Sequence, residues 1–581
     1  MAKEWIIQPP WERCEEAAVR WNVPPLVAQL LYNRGIDLDG DPGPFLCPRL
    51  KDLHPPELLP GAQTAAALLA DAVRAGRRIV LYGDYDVDGI TGVAILWRLL
   101  TKARADVGYY VPHRLEEGYG LNAEAIRKLA EEGAQIIVSV DCGITAVEVA
   151  ATMPDGVELI ITDHHQPKER IPEAAAAIVH PTVGGDYPNP HLCGAGVAFK
   201  LAWALAQELS GAEKVAPEYR DLLMEALPLA ALGTIADVVP LVGENRIIAR
   251  CGLAPLKDTE DVGLRALIES AGLTGQRIGD YEVGFRLAPR LNAAGRMGHA
   301  RLAVEMLIRP DADRAREIAL YLEEHNRSRR SLERRILQQA REMVEQRGMD
   351  GDACRGIVLA AEGWHAGVIG IVAARLVDRY RRPTVLIAVN GESGQGSARS
   401  VEHFEMHEAL TACSEHLLEF GGHSMAAGLR IDPQAVEAFT NAFIEQANNR
   451  LTGADLRARL RLDAEVSLGQ LDLRTVEAVE NLGPFGTGNP KPRLATGWIE
   501  LAGEPRRVGG NGEHLQAAFR DGDAVMRGIA FGQAAAAQDL MEYRRCRIAF
   551  EPTVNEYQGR RSAEIRVLDF QFPDGTGPGS V

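Results

Sequence analysis

The 581-residue sequence has no long apolar run. Its most apolar window, Leu222 to Val242, is broken by Glu225, Pro228 and Asp237, which argues against a membrane span. The opening MAKEWIIQPPWERCEE carries acids where a secretory signal needs a basic start and an unbroken apolar stretch, so a cytoplasmic location is expected. Eight cysteines are scattered without one C-x-x-C pair, which suggests neither a zinc ribbon nor a disulfide framework. Aromatic residues make up 6%, too few to mark out a stacking surface from the sequence. Basic residues are also short, 63 against 80 acidic ones, and a net charge of -17 disfavours a phosphate backbone as partner. That deficit is uneven. From Asp455 to Phe570, 16 basic residues stand against 17 acidic ones, and HNRSRRSLERR (325–335) holds five arginines and one glutamate. A basic lane is therefore expected in an acidic protein of roughly two to four domains.

What is present is a repeated phrase: a short β-branched run ending in a polar turn. RIVLY leads into GDYDVDG, QIIVSV into DCGI, and VELIIT into DHHQ, with helical or loop sequence following each. Three such units describe an open, mostly parallel α/β sheet, in which ligands collect at the carboxyl ends of the strands. Asp84, Asp86, Asp141, Asp163, His164 and His165 all fall there. D-x-D-x-D-G also opens a calcium loop, but the twelfth position counted from Asp84 is Ile95 rather than glutamate, and a strand precedes it. Several carboxylates at one sheet edge repel one another unless a cation lies among them. Carboxylate mixed with imidazole suits Mn²⁺ or Mg²⁺, and two such ions can clamp a phosphoryl group in displacement.

GDYDVDG, VDCGI, TDHH and GTIADVVP, in this order and spacing, resemble the four motifs of the DHH phosphoesterase superfamily. PRLNAAGRMG, GWHAGVIGIVAARL, GSARS, GGHSMAAG and LGPFGTGNPKP are similar to its bacterial single-strand exonucleases. The resemblance implies that Asp84, Asp86, Asp141, His164 and Asp237 ligate two divalent ions, Mn²⁺ preferred and Mg²⁺ also accepted, with Asp141 between them. It assigns His165 to the scissile phosphate and Asp88 to support of the turn. Tyr82 departs from the pattern, since many members carry a histidine ligand there.

The second half reads as long helices after Pro240, an Arg-rich helix from Ala312 to Gln346, another strand–turn–helix from Gly356, and short alternating strands after Leu460. By resemblance this gives a DHH catalytic domain with an N-terminal extension (1–245), a helical connector (246–350), a DHHA1-type α/β domain (351–452) and an OB-fold-like β-barrel (455–572). The glycine-rich turn at His365, with Ser397, Arg399 and His423, offers donors for a phosphate. Arg290, Asn292 and Arg296 complete the expected substrate-binding set. The implied function is 5′ to 3′ hydrolysis of single-stranded DNA to mononucleotides in repair and recombination. The implied enzyme is a monomer, with a single-stranded-DNA-binding protein and a repair helicase as protein partners. Two rival readings are a DHH phosphodiesterase for short oligonucleotides or cyclic dinucleotides, and a non-catalytic DNA-binding scaffold.

Overall fold

A computed structural model describes residues 3–113, 117, 118, 120–296, 299–308 and 311–573, with Arg296 described in its backbone only. The apolar runs form the expected sheet. Val107–Tyr110, Ile79–Gly83, Ile136–Val140, Glu158–Thr162 and Ala177–Val179 lie side by side in that order, all parallel. Ile79–Gly83 and Ile136–Val140 are buried along their whole length, which is why they read as continuous apolar runs instead of alternating ones.

One hydrophobic core runs from Leu59 to Leu322 and passes straight through residue 245. Ile248, Leu253, Leu264, Leu287, Leu291 and Leu307 all belong to it, so the helices of residues 246–308 pack as part of the catalytic body. The helix Ala312–Gln346 joins two cores. Ala315, Ile318, Ala319 and Leu322 sit in the first, while Ile336, Ala340 and Val344 sit in a second shared with Leu359, Val368 and Leu386. Its arginines are not one open lane. Arg329 is buried, donating to Glu333 (3.1 Å) and Asn326 (2.9 Å), and Arg327 lies 3.8 Å from Glu323. Arg330, Arg334 and Arg335 remain exposed.

Beyond that helix, Ile357–Glu362 and Thr384–Asn390 pair in parallel, and Ser393–Arg399, Ala426–Ile431 and Glu419–Gly422 extend the sheet antiparallel. The last domain is a closed barrel of Ile499–Leu501, His514–Asp521, Ala524–Ala530, Arg545–Tyr557 and Arg560–Gln571. Closure comes from Arg560–Gln571, which pairs with both Ala524–Ala530 and Arg545–Tyr557. Among the described residues no helix is long and apolar enough to cross a membrane.

The N-terminal segment belongs physically to this barrel. Glu4–Ile7 pairs in parallel with Arg459–Leu462, and Trp5 Nε1 donates to Asp569 (2.8 Å). Leu26, Val27, Leu30 and Leu31 share the barrel's core. Deleting residues 455–581 alone should therefore give an aggregating protein, because four buried aliphatic side chains lose their cover at about 1.5–3 kcal/mol each. Removing residues 1–47 as well should restore solubility. Size-exclusion chromatography of the two truncations checks this, and equal solubility would contradict it.

Candidate active site

Backbone hydrogen bonds step the functional residues across the sheet edge. The N–H of Asp84 donates to Val140 O (3.1 Å), that of Asp141 to Thr162 O (2.9 Å), and that of Asp163 to Val179 O (3.2 Å). Asp86 caps the helix Val87–Lys102, its Oδ1 accepting from Asp88 N (2.9 Å) and Gly89 N (3.2 Å). Asp88 turns inward, and its carboxylate accepts the N–H groups of Gly194 and Ala195 at the start of the helix Gly194–Ser210. Gly194 is required there, since a Cβ would lie 2.5 Å from Asp141 Oδ1. Asp237 ends the helix Pro217–Ala236.

The chain thus gathers three overlapping sets whose ligand atoms lie within 4.8 Å of one another: Asp84, Asp86 and Asp141; Asp88, His164 and Asp237; and Asp141, His164 and His165. His164 Nε2 lies 3.1 Å from Asp141 Oδ1, 3.6 Å from Asp237 and 3.7 Å from Asp88. Asp141 Oδ1 and His164 Nε2 are both buried without a hydrogen-bond partner among the described residues. Such lone pairs fit a cation, and Asp141 is shared between sets as a bridging ligand would be.

The electrostatics agree. Burial and then the charges of Asp88, Asp86, Asp84 and Asp237 push Asp141 well above the usual carboxylate range. Burial, followed by Asp88 and Asp86, raises Asp237 to about 8. Burial and the neighbouring His165 lower His164 to about 3, leaving it neutral with a lone pair to donate. Burial disfavours the His165 cation too, but the hydrogen bond from Nδ1 to Asp163 (2.8 Å) and the surrounding carboxylates outweigh it and raise its pKa to about 9. Burial and the neighbouring carboxylates thus favour the protonated form of this cluster in the metal-free protein, so a divalent ion bound there would displace a proton. Mn²⁺ affinity should rise with pH between 6 and 8, by up to about tenfold per unit for one released proton. Paramagnetic titration of free Mn²⁺ at both pH values measures it, and a flat profile would contradict the assignment.

The other expected residues divide. Asn292 Oδ1 accepts Val87 N (3.2 Å), beside Gly295 packed on the Tyr85 carbonyl, so this helix does brace the aspartate turn. Arg290 is turned inward instead: it is buried, 2.7 Å from Glu323, and donates to Arg286 O and Ser270 O. The side chain of Arg296 lies outside the described residues. His365 caps the helix Ala366–Tyr380. Arg399 Nη1 donates to Ser397 Oγ (3.1 Å) and Ala398 O (2.7 Å), above Gly370, where a Cβ would come within 2.9 Å of Ser397 Oγ. Ala426 pairs with Arg399 in register, and His423 N donates to Ala426 O, so the exposed His423 belongs to the same sheet end. Tyr82 is fully buried, its hydroxyl donating to Gly120 O (3.2 Å).

Sequence reasoning passed over His180. It is buried, accepts Thr182 N at Nδ1 and so donates from Nε2 to His165 O (2.9 Å). Its place just after the strand Ala177–Val179 was the available signal.

A parallel sheet whose strand ends converge Asp-x-Asp, Asp, His-His and a helix-terminal Asp defines a DHH phosphoesterase, and residues 78–229 match the DHH family N-terminal domain model. Residues 355–449 match the DHHA1 domain and 462–569 the RecJ OB domain. The single-stranded-DNA-specific exonuclease RecJ of Bacillus subtilis is 37% identical over 97% of this chain and 70% of its own length. RecJ of Thermus thermophilus in complex with Mn²⁺ superposes with a TM-score of 0.82 at 33% identity, covering 100% of this chain and 81% of that one. Its Mg²⁺ complex gives 0.77 at 32% identity, over 98% and 78%. The chain belongs to the RecJ family of single-stranded-DNA-specific exonucleases.

Proposed function

We propose that this protein degrades single-stranded DNA from its 5′ end to 5′-mononucleotides, using two divalent ions, in DNA repair and recombination. The observation that carries the reading is the cluster of Asp84, Asp86, Asp141, His164 and Asp237 around buried atoms without hydrogen-bond partners, in a chain of the RecJ family. Asp84, Asp86 and Asp141 would hold one ion, and Asp141, His164 and Asp237 the other, with Mn²⁺ the better match to the mixed donor set. When bound, the ions polarise the scissile phosphate and make water nucleophilic near neutral pH. Asp163 holds His165 by Nδ1 in its cationic form, and His180 fixes the His165 carbonyl, so a positive charge is set beside the ions to meet phosphoryl oxygen. Tyr82 adds no ligand, so an ion held by Asp84, Asp86 and Asp141 would draw its remaining ligands from water.

Arg399, Ser397, His365 and His423 would take the terminal 5′-phosphate, since a guanidinium beside a hydroxyl and a helix N-terminus is a favourable anion setting. The barrel, with its near-neutral charge and closed sheet, suits the trailing single strand. On this reading the enzyme acts as a cytoplasmic monomer, and a single-stranded-DNA-binding protein and a repair helicase are its candidate protein partners. End-labelled oligonucleotides in Mn²⁺ test it: loss of label should begin at the 5′ end of single strands, and duplex ends should resist. Degradation from the 3′ end, internal cuts, or activity limited to dinucleotides would overturn it.

A further inference from the structure

The barrel domain sends the loop Gly483–Pro490 back to the catalytic body, where it meets the turn that follows Asp237. Leu241 N donates to Thr487 O at 2.7 Å. Gly486 lies so near that a Cβ would approach Leu241 to 2.9 Å, and Gly488, at φ +74°, packs against Pro240 and Val242. The turn needs holding. Val238, directly after Asp237, has φ +64°, a left-handed conformation that is costly for a β-branched residue, and the residue is 64% exposed, so little packing fixes it.

The loop is itself clamped to the catalytic body. Arg246, 1% exposed, donates to Phe45 O (2.9 Å), Gly483 O (3.0 Å) and Pro484 O (3.4 Å). Arg250 donates to Asn481 O (2.8 Å) and Gly483 O (2.5 Å), and the Asp280 carboxyl accepts the Phe485 N–H. Asn489 stiffens the loop from within, its Nδ2 donating to Leu482 O (2.9 Å) and Pro484 O (2.8 Å) while its Oδ1 accepts Arg34 Nε (2.7 Å). So many directed bonds to main-chain carbonyls fix position more than they add surface for a ligand.

We propose that the loop Gly483–Pro490 is a positioning element for the metal ligand Asp237, so that the barrel domain sets metal affinity as well as holding the strand. The proposal rests on the reading of Asp237 as a ligand. Two full-length variants test it. Gly486→Val drives bulk into Leu241, and Arg250→Met removes two hydrogen bonds without adding any. Mn²⁺ binding is read by calorimetric titration in the absence of DNA, single-strand affinity by anisotropy in EDTA, and folding by thermal melting.

The Mn²⁺ dissociation constant should rise about tenfold for Gly486→Val, the low end for losing an outer support of a ligand. Arg250→Met should move it a few-fold the same way. Single-strand affinity should be unchanged in both, and nuclease rate should return at high Mn²⁺. Should Gly486→Val melt early, Arg250→Met alone decides. Wild-type Mn²⁺ affinity in the folded variants, or a loss confined to DNA affinity, would overturn the proposal. Asp237→Asn separates the two readings. If it binds Mn²⁺ like the wild type, the ligand assignment fails. If it loses Mn²⁺ while the loop variants keep it, only the loop's role fails.

Discussion

Replacing Asp141 by asparagine should abolish hydrolysis while leaving the melting temperature near that of the wild type. Asp141 sits at φ +65° and joins two of the three ligand sets, so its carboxylate is shared and its backbone is unusual. Asparagine tolerates the left-handed region and keeps the side-chain shape, whereas alanine would add backbone strain to the lost ligand. A shared ligand supports several kcal/mol of charge stabilisation. At about 1.4 kcal/mol per decade the rate should fall at least about a thousandfold. Burial among four other aspartates makes the native carboxylate costly in the metal-free protein, so the variant should be no less stable without metal. Single-turnover cleavage in Mn²⁺ beside calorimetric melting settles it. Retention of more than a small fraction of the rate would remove the two-ion mechanism.

Arg399→Ala should erase the advantage of a 5′-phosphate over a 5′-hydroxyl. A hydrogen bond to a charged group contributes about 1.5–3 kcal/mol, which is roughly 10- to 150-fold in kcat/KM for the phosphorylated strand. The hydroxyl strand should change little, because Asp84, Asp86, Asp141 and Asp237 all lie outside residues 355–449, which form the domain of Arg399. The ratio of the two rates, measured for both proteins, is the test. An equal loss on both substrates would show that Arg399, which also donates to Ser397 and Ala398, supports the sheet end instead.

The catalytic sheet was legible because fully buried parallel strands leave continuous apolar runs, and because their turns carry residues that local structure alone does not need. Asp84, Asp86, Asp141, His164 and His165 follow from that pattern. Asp237 does not. It ends a long helix far from any strand, and only the motif resemblance placed it. Arg290 shows the opposite case, since an arginine in a motif-like phrase carries no sign of whether a glutamate such as Glu323 waits for it. The course of the core through residue 245 was also hidden. Helical periodicity tells which face is apolar but not which body covers it, so Ile248 and Leu264 looked like connector residues. Nor does any local signal tie Glu4–Ile7 to Arg459–Leu462, a pairing of residues 455 positions apart in the chain.

That pairing sets a timetable for the protein's birth. The N-terminal strand and the helix Pro25–Tyr32 leave the ribosome before the catalytic body, yet the barrel that covers them is made after it. At about 5–20 residues per second the gap is roughly 20 to 90 seconds. Through all of it Leu26, Val27, Leu30 and Leu31 lack the barrel side of their core and have only N-terminal neighbours such as Trp21, Val23 and Ile36 to pack against. The catalytic body, whose core closes by Leu322, can fold well inside that interval. The nascent chain is then a folded catalytic body carrying an uncovered apolar segment, and a chaperone that holds such segments would find a binding site there.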